Sequence, residues 1–438
     1  MSITARQMAF SILLKIEKDK AYSNIALDSA VRESSLDSTD CAFISRLVYG
    51  VTERKLTLDY VISRFLNQPI KKLKVEVLVI LRIGTYEILF MDKIPVSASV
   101  NESVLLTKNN KSAYASGLVN AVLRKVSIEG ENILGSLSGD ERLSVLYSAP
   151  IDLVRFLKYH YNGENAEEIL KSALKKKEIT IRVNTLKTTK EELIEILKNE
   201  NISSEITVLE NALIINAKGA IYELEAYKKG LFFVEDISSQ LCVKELGLKE
   251  NFKFIDICSA PGGKSFTASQ YMNNTGEIYS CDIHSHRVEL IKAGAERLGI
   301  KNIIPTVNDA TILNEKFLNA DCVLCDVPCS GLGIIGKKPE IKYKSLDETK
   351  ELIPIQKKIL STASKYVKKG GTLIYSTCSI NPNENRKVCD WFLNENKDFY
   401  SVKVSPETKR CVDEGDYLTL LPHINNCDGF FIAKFIKK

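Results

Sequence analysis

Two cysteines stand in short polar motifs that each follow a β-rich run, and both could act as nucleophiles. Cys329 lies three positions after Asp326 in the motif 326–331, and Cys378 lies in the motif 375–379. Ligands bind at the carboxyl ends of the strands in open parallel sheets, so we expect these three side chains to gather at one edge. Because a thiol reacts as its thiolate, a polar edge near a cation suits a reactive cysteine better than a core does. The two cysteines are therefore predicted to be catalytic.

A nucleoside cofactor site is predicted beside them. Gly262 and Gly263, within the segment 256–265, allow a tight turn, and the helix that follows would offer free N–H groups to a ligand. Asp282 ends the next β-rich run and could bind ribose hydroxyls, while Asp309 ends the one after and could accept a hydrogen bond from an adenine amino group. Each aspartate alone could be a helix N-cap. The glycine spacing matches neither the dinucleotide fingerprint nor a P-loop, which disfavours a nicotinamide-dependent oxidoreductase.

The elements that would position these motifs change character along the chain. The first part shows helical periodicity, as in the apolar stripe of Ala9, Ile12, Leu13 and Ile16. The part from about 150 to 235 mixes helices with short strands, and from 236 onward β-rich runs alternate with helical patterns. Such alternation is typical of a mostly parallel sheet covered by helices on both faces.

These patterns predict an α/β protein of three domains. We expect an all-helical domain over 1–138, a linker with a small α+β subdomain over 139–235, and an α/β domain over 236–438. The linker is predicted from the Gly-, Ser- and Glu-rich stretch 130–140.

Composition is that of a globular protein with reduced thiols. The 438 residues are 45% hydrophobic and carry a net charge of +5, which permits a nucleic-acid partner without requiring one. An apolar run of about 18 residues and an export signal are both absent from the sequence, so we expect a cytoplasmic location, no membrane association and unpaired cysteines. A monomer is the default expectation.

The cysteines near the end of the fourth β-rich run do not form a convincing metal site. Cys322, Cys325 and Cys329 have loosely zinc-like spacing. Residues three apart on one strand point to opposite faces, so Cys322 and Cys325 would not converge on an ion. We interpret these two as packing residues and expect no metal.

Lysines before the predicted strand at 180 form a candidate RNA-binding patch. They are Lys171 and 175–177, followed by Arg182 inside the strand. A charged, solvated helix end is the simpler reading, and phosphate contacts are the functional one.

The motifs together resemble the bacterial small-subunit ribosomal RNA cytosine-C5 methyltransferases of the Sun/Fmu type. The resemblance rests on 256–265, 281–282, Asp309, 326–331 and 375–379, with upstream motifs at 181–185 and 236–240 and a closing motif at 421–431. The segment 113–125 resembles the NusB-like helical RNA-binding domain that precedes the catalytic part in the ribosomal branch. The resemblance implies a Rossmann-like S-adenosylmethionine methyltransferase domain, preceded by a small α+β RNA-binding subdomain and an all-α NusB-like domain.

The resemblance also implies a role for each matched position. Cys378 would be the nucleophile that adds to carbon 6 of the cytosine, Cys329 would assist release of the methylated RNA, and Asp326 would contact the base, where sharing a proton needs a raised pKa. Asp326 would also help to hold S-adenosylmethionine. The other residues expected to hold this cofactor are Cys258, Ser259, Ala260, Pro261, Gly262, Gly263, Lys264, Asp282, Arg287 and Asp309. RNA contacts are expected from Lys176, Arg182, Lys337 and Lys338, along one continuous basic groove. The stretch 336–343 lacks a histidine that relatives often carry before the proline, which puts its RNA contact in doubt.

Several functions stay open on sequence alone. The resemblance implies 16S ribosomal RNA as partner, before the subunit matures, and cytosine 967 as target; transfer RNA is the alternative. DNA cytosine methylation would use Cys329 as the nucleophile, so the second cysteine at Cys378 favours RNA. A non-catalytic RNA-binding assembly protein with a relict cofactor fold is a further alternative, disfavoured by intact motifs.

Overall fold

The structure is a computed structural model that describes residues 4–19, 23–32, 36–175, 178–217, 220–405, 408–412 and 414–438. It divides into two compact units. One comprises Met1–Lys175 with Ile335–Lys344, and the other comprises Lys176–Ile334 with Ser345–Lys438. The predicted boundaries at 138 and 235 remain predictions. No helix in the described part of the chain is long and apolar enough to cross a membrane.

The first unit is helical, as the periodicity predicted. Its helices are α1 (Ala5–Asp19), α2 (Ser23–Arg32), α3 (Ser38–Glu53), α4 (Lys55–Ser63), α5 (Val75–Phe90), α6 (Val96–Asn109), α7 (Ser116–Gly135), α8 (Gly139–Leu146) and α9 (Ile151–Ala173). The predicted stripe of α1 is buried in a core that α1 to α7 share. α5 is buried almost all round, and its Arg82 is neutralised by ion pairs with Asp59 and Glu17.

The linker predicted at 130–140 is wrong over most of its length. α7 continues to Gly135 and α8 begins at Gly139, so only three residues separate the two helices. Gly130 is buried, and a Cβ at this position would lie 3.0 Å from Leu89. The glycine that looked like a linker residue therefore allows close helix packing.

The segment 335–344 belongs to the helical unit although it follows the Cys329 motif in sequence. Within it a short 3-10 helix spans Pro339–Tyr343. Lys342 is buried and donates to the carbonyl oxygen of Glu53, at the end of α3, over 2.8 Å. Burial lowers the pKa of Lys342 to about 8. The neighbouring Tyr343 hydroxyl lies 2.9 Å from Ser148 Oγ.

The second unit contains two sheets. The smaller sheet has the order β2-β3-β1-β4, is antiparallel, and is formed by β1 (Ile179–Val183), β2 (Ser203–Ile206), β3 (Ala212–Asn216) and β4 (Phe232–Val234), with α10 (Lys190–Asn199) and α11 (Glu225–Lys228) between its strands. α10 begins with a capping box between Thr189 and Glu192.

The larger sheet follows α12 (Ile237–Lys244). Its elements are β5 (Lys253–Asp256), α13 (Gly263–Tyr271), β6 (Glu277–Asp282), α14 (Ser285–Leu298), β7 (Ile303–Val307), β8 (Ala320–Asp326), α15 (Glu348–Ser364), β9 (Val367–Thr377), α16 (Arg386–Glu395), β10 (Phe399–Val402), β11 (Leu418–Leu420), α17 (Pro422–Asn425) and β12 (Phe430–Lys437). The strand order is β10-β12-β9-β8-β5-β6-β7, and β11 pairs with β12.

The order of the parallel strands locates the functional edge. β5 pairs in parallel with both β6 and β8, although β6 follows it in the chain and β8 comes later. The strand order therefore reverses between β5 and β8, and ligands bind at the carboxyl ends beside such a switch point. Cys322 and Cys325, both on β8, were predicted to be packing residues. Both are buried, and they belong to separate core clusters.

Candidate active site

A cavity of about 390 Å³ opens at the carboxyl ends of the parallel strands. Eight of the residues predicted for the cofactor and the chemistry line it, although they come from five different segments of the chain: Cys258, Ala260, Asp282, Arg287, Asp309, Asp326, Cys329 and Cys378. The edge predicted from strand ends alone is therefore a real concave site.

The turn before α13 explains the glycines of the motif. Gly262 has φ 110°, and a Cβ there would lie 2.5 Å from the Phe266 ring. Ser259 is buried, and its backbone N–H donates to Cys281 O over 2.7 Å. Pro261 and Gly263 line a different cavity, of about 450 Å³.

The carboxylates predicted for a nucleoside are held by neighbouring donors. Asp282 pairs with Arg287 over 2.8 Å, and Arg287 also donates to Ala260 O over 2.7 Å. Asp309 accepts hydrogen bonds from the N–H and hydroxyl of Thr311, which lower the pKa of its carboxyl group. This arrangement fixes both carboxylates at the cavity wall.

The donor set fits a polar nucleoside ligand. Asn308 lines the cavity, and its buried Nδ2 has no hydrogen-bond partner within the part of the chain that the structure describes. A buried amide N–H without a partner is costly, and a ligand acceptor would satisfy it. With Asp282 and Asp309, the cavity thus offers both acceptors and a donor to a ribose and a base.

The two predicted cysteines lie side by side. The Sγ atoms of Cys329 and Cys378 are 3.1 Å apart, and both residues are partly exposed. The contact with Cys378, followed by burial, raises the pKa of the Cys329 thiol. The Cys329 thiol therefore holds its proton more tightly than an ordinary cysteine does.

Asp326 is paired with a cation that the sequence analysis had assigned to the cofactor. Lys264 Nζ lies 2.7 Å from Asp326 Oδ2, and Ser376 donates to the other carboxylate oxygen over 2.9 Å. Burial would lower the pKa of Lys264, but the charge of Asp326, the hydrogen bond to it and other nearby acidic groups together raise that pKa above its usual value. Lys264 is therefore a cation placed directly beside Asp326. No short-range pattern links two residues so far apart in sequence.

The continuous basic groove expected to bind RNA remains a prediction, and the structure describes three of its four residues. Arg182 is buried, and its guanidinium donates to Gln270 over 2.7 Å and to Gln240 over 3.2 Å. A buried guanidinium cannot reach a phosphate in solvent, so we do not propose that Arg182 contacts RNA. Lys176 lies outside the described residues. Lys337 and Lys338 are exposed on the segment that belongs to the helical unit.

Among the residues that the structure describes, His, Cys, Asp and Glu side chains form no group of three or more that could hold a metal ion.

Comparison with known proteins agrees with this architecture. Residues 243–436 match the family described as 16S rRNA methyltransferase RsmB/F, residues 3–127 match the NusB family, and residues 150–222 match the ferredoxin-like domain of RsmF/B-like methyltransferases. The Probable ribosomal RNA small subunit methyltransferase B of Bacillus subtilis is 36% identical, with 99% of each chain covered. The protein of the same name in Synechocystis is 33% identical, with 99% of this chain and 100% of the relative covered.

Solved structures show the same fold. The crystal structure of PH0851 superposes with a TM-score of 0.84 at 26% identity and covers 100% of both chains. The structure of NSun6 from Pyrococcus horikoshii with SFG has a TM-score of 0.61 at 23% identity, over 67% of this chain and 99% of that one. The resemblance drawn from the motifs is confirmed: this chain belongs to the RsmB/F family of methyltransferases, with a NusB-type helical part, and S-adenosylmethionine is its cofactor.

Proposed function

We propose that the protein methylates carbon 5 of a cytosine in small-subunit ribosomal RNA through a covalent adduct with Cys378. The observation that carries this proposal is the meeting of two thiols, 3.1 Å apart, with Asp326 in one cavity. The names of the Bacillus subtilis and Synechocystis relatives support ribosomal RNA as the substrate class.

The chemistry explains why a thiol is needed. Carbon 5 of cytosine is a poor nucleophile, and addition of the Cys378 thiolate to carbon 6 converts it into the nucleophilic carbon of an enamine. When bound, S-adenosylmethionine supplies the electrophilic methyl group. A base then takes the proton from carbon 5, the electrons of that C–H bond re-form the double bond between carbons 5 and 6, and the Cys378 sulfur leaves as a thiolate.

The remaining groups have distinct tasks. Asp326 would accept from the exocyclic amino group of the base, and Lys264, paired with it, would donate a hydrogen bond that stabilises the negative charge building on the ring nitrogen as the adduct forms. Cys329 would act at release of the product, because its thiol, whose pKa is raised, lies 3.1 Å from the Sγ atom of Cys378. The cytosine must leave its stack to enter, at a cost of roughly a few kcal/mol that is least in single-stranded RNA.

We further propose that Lys337 and Lys338 contact the RNA backbone, since both are exposed.

Bisulfite mapping of RNA from cells with and without the gene tests the substrate assignment. We expect one cytosine in small-subunit ribosomal RNA to resist bisulfite conversion in cells that have the gene and to be converted in cells that lack it. Loss of protection in transfer RNA alone would replace the assignment with the transfer-RNA alternative. No change in any RNA, together with no calorimetric binding of S-adenosylmethionine, would favour a non-catalytic RNA-binding protein.

A further inference from the structure

A buried carboxylate outside the predicted motif residues lies between the two cysteine turns. Glu384 stands in the loop between β9 and α16 and is fully buried. It does not line the cavity, so it does not contact a substrate there. A buried carboxylate is costly unless donors surround it, and its donors reveal what it holds in place.

The donors to Glu384 come from both cysteine turns. The backbone N–H of Ser330, next to Cys329, donates to Oε1 over 2.8 Å, and the Ser379 hydroxyl, next to Cys378, donates to Oε2 over 2.8 Å. The Ser330 hydroxyl also donates to Oε2. A single carboxylate therefore bridges the residues that directly follow the two thiols.

Further contacts fix the bridge from outside. Gln356 on α15 donates to Oε1 of Glu384 over 3.0 Å, and the same amide donates to Pro328 O over 3.0 Å. The next residue, Asn385, accepts from the Thr377 hydroxyl over 2.6 Å and donates to Ser379 O over 2.8 Å. The turn that carries Cys378 is thus held at both of its ends.

We propose that Glu384 is a positioning residue that holds Cys329 and Cys378 in register for methyl transfer. The expected effect on kcat rests on the proposed function. The expected effect on the placement of the two thiols rests on the hydrogen bonds alone. Misplacement of a reacting group by about 1 Å can cost on the order of 100-fold in rate, so loss of the bridge should reduce kcat strongly.

The charge of Glu384 adds a second, separable effect. It is one of the causes that raise the pKa of the Cys329 thiol, after the contact with Cys378 and burial. Glu384→Gln can keep the hydrogen bonds, because the serine hydroxyls can accept from an amide, but it removes the charge. The pH profile of product release should therefore move to lower pH in Glu384→Gln, which a purely structural role would not cause.

The first measurement reports geometry without any methylation. Oxidised glutathione reacts with one thiol of the pair and releases one glutathione; the second thiol then displaces the other glutathione, so that two thiols are oxidised and one disulfide is reduced. The rate of the Cys329–Cys378 crosslink is followed by peptide mapping. We expect Glu384→Gln to stay within about threefold of the wild type and Glu384→Ala to crosslink at least about 10-fold more slowly.

The second measurement is steady-state methylation with the same variants. We expect Glu384→Ala to lower kcat by about 100-fold with KM for RNA changed by less than about threefold, and Glu384→Gln to recover most of kcat. Glu395→Ala, an exposed glutamate at the end of α16, is the matched control and should resemble the wild type. If Glu384→Ala does not fold, Ser379→Ala removes a single donor and should slow crosslinking by a smaller factor.

The outcomes separate the two proposals. A wild type that does not methylate RNA but crosslinks faster than Glu384→Ala would refute the proposed function and leave the positioning role standing. Crosslinking and kcat of Glu384→Ala equal to those of the wild type would refute the positioning role.

Discussion

A buried glutamate beside the cofactor turn makes the stability of the protein depend on pH. Glu235 is buried next to Gly263. Its Oε2 accepts a hydrogen bond from the Thr267 hydroxyl, and its Oε1 has no partner among the described residues. Burial raises the pKa of Glu235 from 4.5 to about 7, against the opposing effects of the Thr267 hydrogen bond and the nearby cations. The carboxyl group therefore binds its proton more tightly in the folded chain than in the unfolded one.

The sign and size of the effect follow from this difference. A raised carboxyl pKa contributes stability that is fully present below about pH 4.5 and is lost as pH rises through about 7. At about 1.4 kcal/mol per pKa unit, the complete loss is about 3.5 kcal/mol. Glu235→Gln is neutral at every pH and should abolish this part of the pH dependence.

Urea denaturation at pH 5 and pH 8 measures the difference. We expect the free energy of unfolding of the wild type to fall between these pH values by roughly 2.5 kcal/mol more than that of Glu235→Gln, because part of the effect is already lost at pH 5. Glu395→Gln, on the surface of α16, should behave like the wild type. Equal pH dependence in Glu235→Gln and the wild type would refute the reasoning.

Three further predictions concern the cofactor site, the buried arginine and the RNA surface. Asp282→Ala should weaken S-adenosylmethionine binding by about 10- to 100-fold in calorimetry, because a hydrogen bond to a charged group is worth about 1.5–3 kcal/mol; unchanged affinity would remove Asp282 from the site. Arg182→Met should lower the free energy of unfolding by about 2–4 kcal/mol, because two buried glutamine oxygens lose their donor, and should leave the salt dependence of RNA binding unchanged. Lys337→Glu combined with Lys338→Glu should weaken RNA binding and lower its salt slope by about one per lost phosphate contact; an unchanged slope would contradict a role in RNA contact.

Local patterns predicted the elements and the edge where the chemistry lies. Helical periodicity identified α1, and polar motifs after β-rich runs identified the ends of β8 and β9, because both signals come from residues close together in sequence. Cys329 and Cys378 are far apart in sequence, but each follows the end of a parallel strand. Because parallel strands end at one edge of the sheet, both cysteines could be assigned to one cavity.

Contacts between distant residues were beyond the reach of such patterns. The Lys264–Asp326 pair and the Glu384 bridge each join motifs that are far apart in sequence, so the spacing of residues along the chain does not predict them. Arg182 was misread because its neighbours in sequence are basic, whereas its burial depends on glutamines from two helices. Gly130 was misread because a glycine that packs against Leu89 has the same local composition as a linker.

Covalent trapping with RNA that contains 5-fluorocytosine tests the central claim most directly, because fluorine at carbon 5 blocks the elimination that frees the enzyme. We predict that the wild type and Cys329→Ala form a stable protein–RNA adduct, that peptide mapping places it on Cys378, and that Cys378→Ala forms none. An adduct that survives in Cys378→Ala and disappears only in Cys329→Ala would contradict the account.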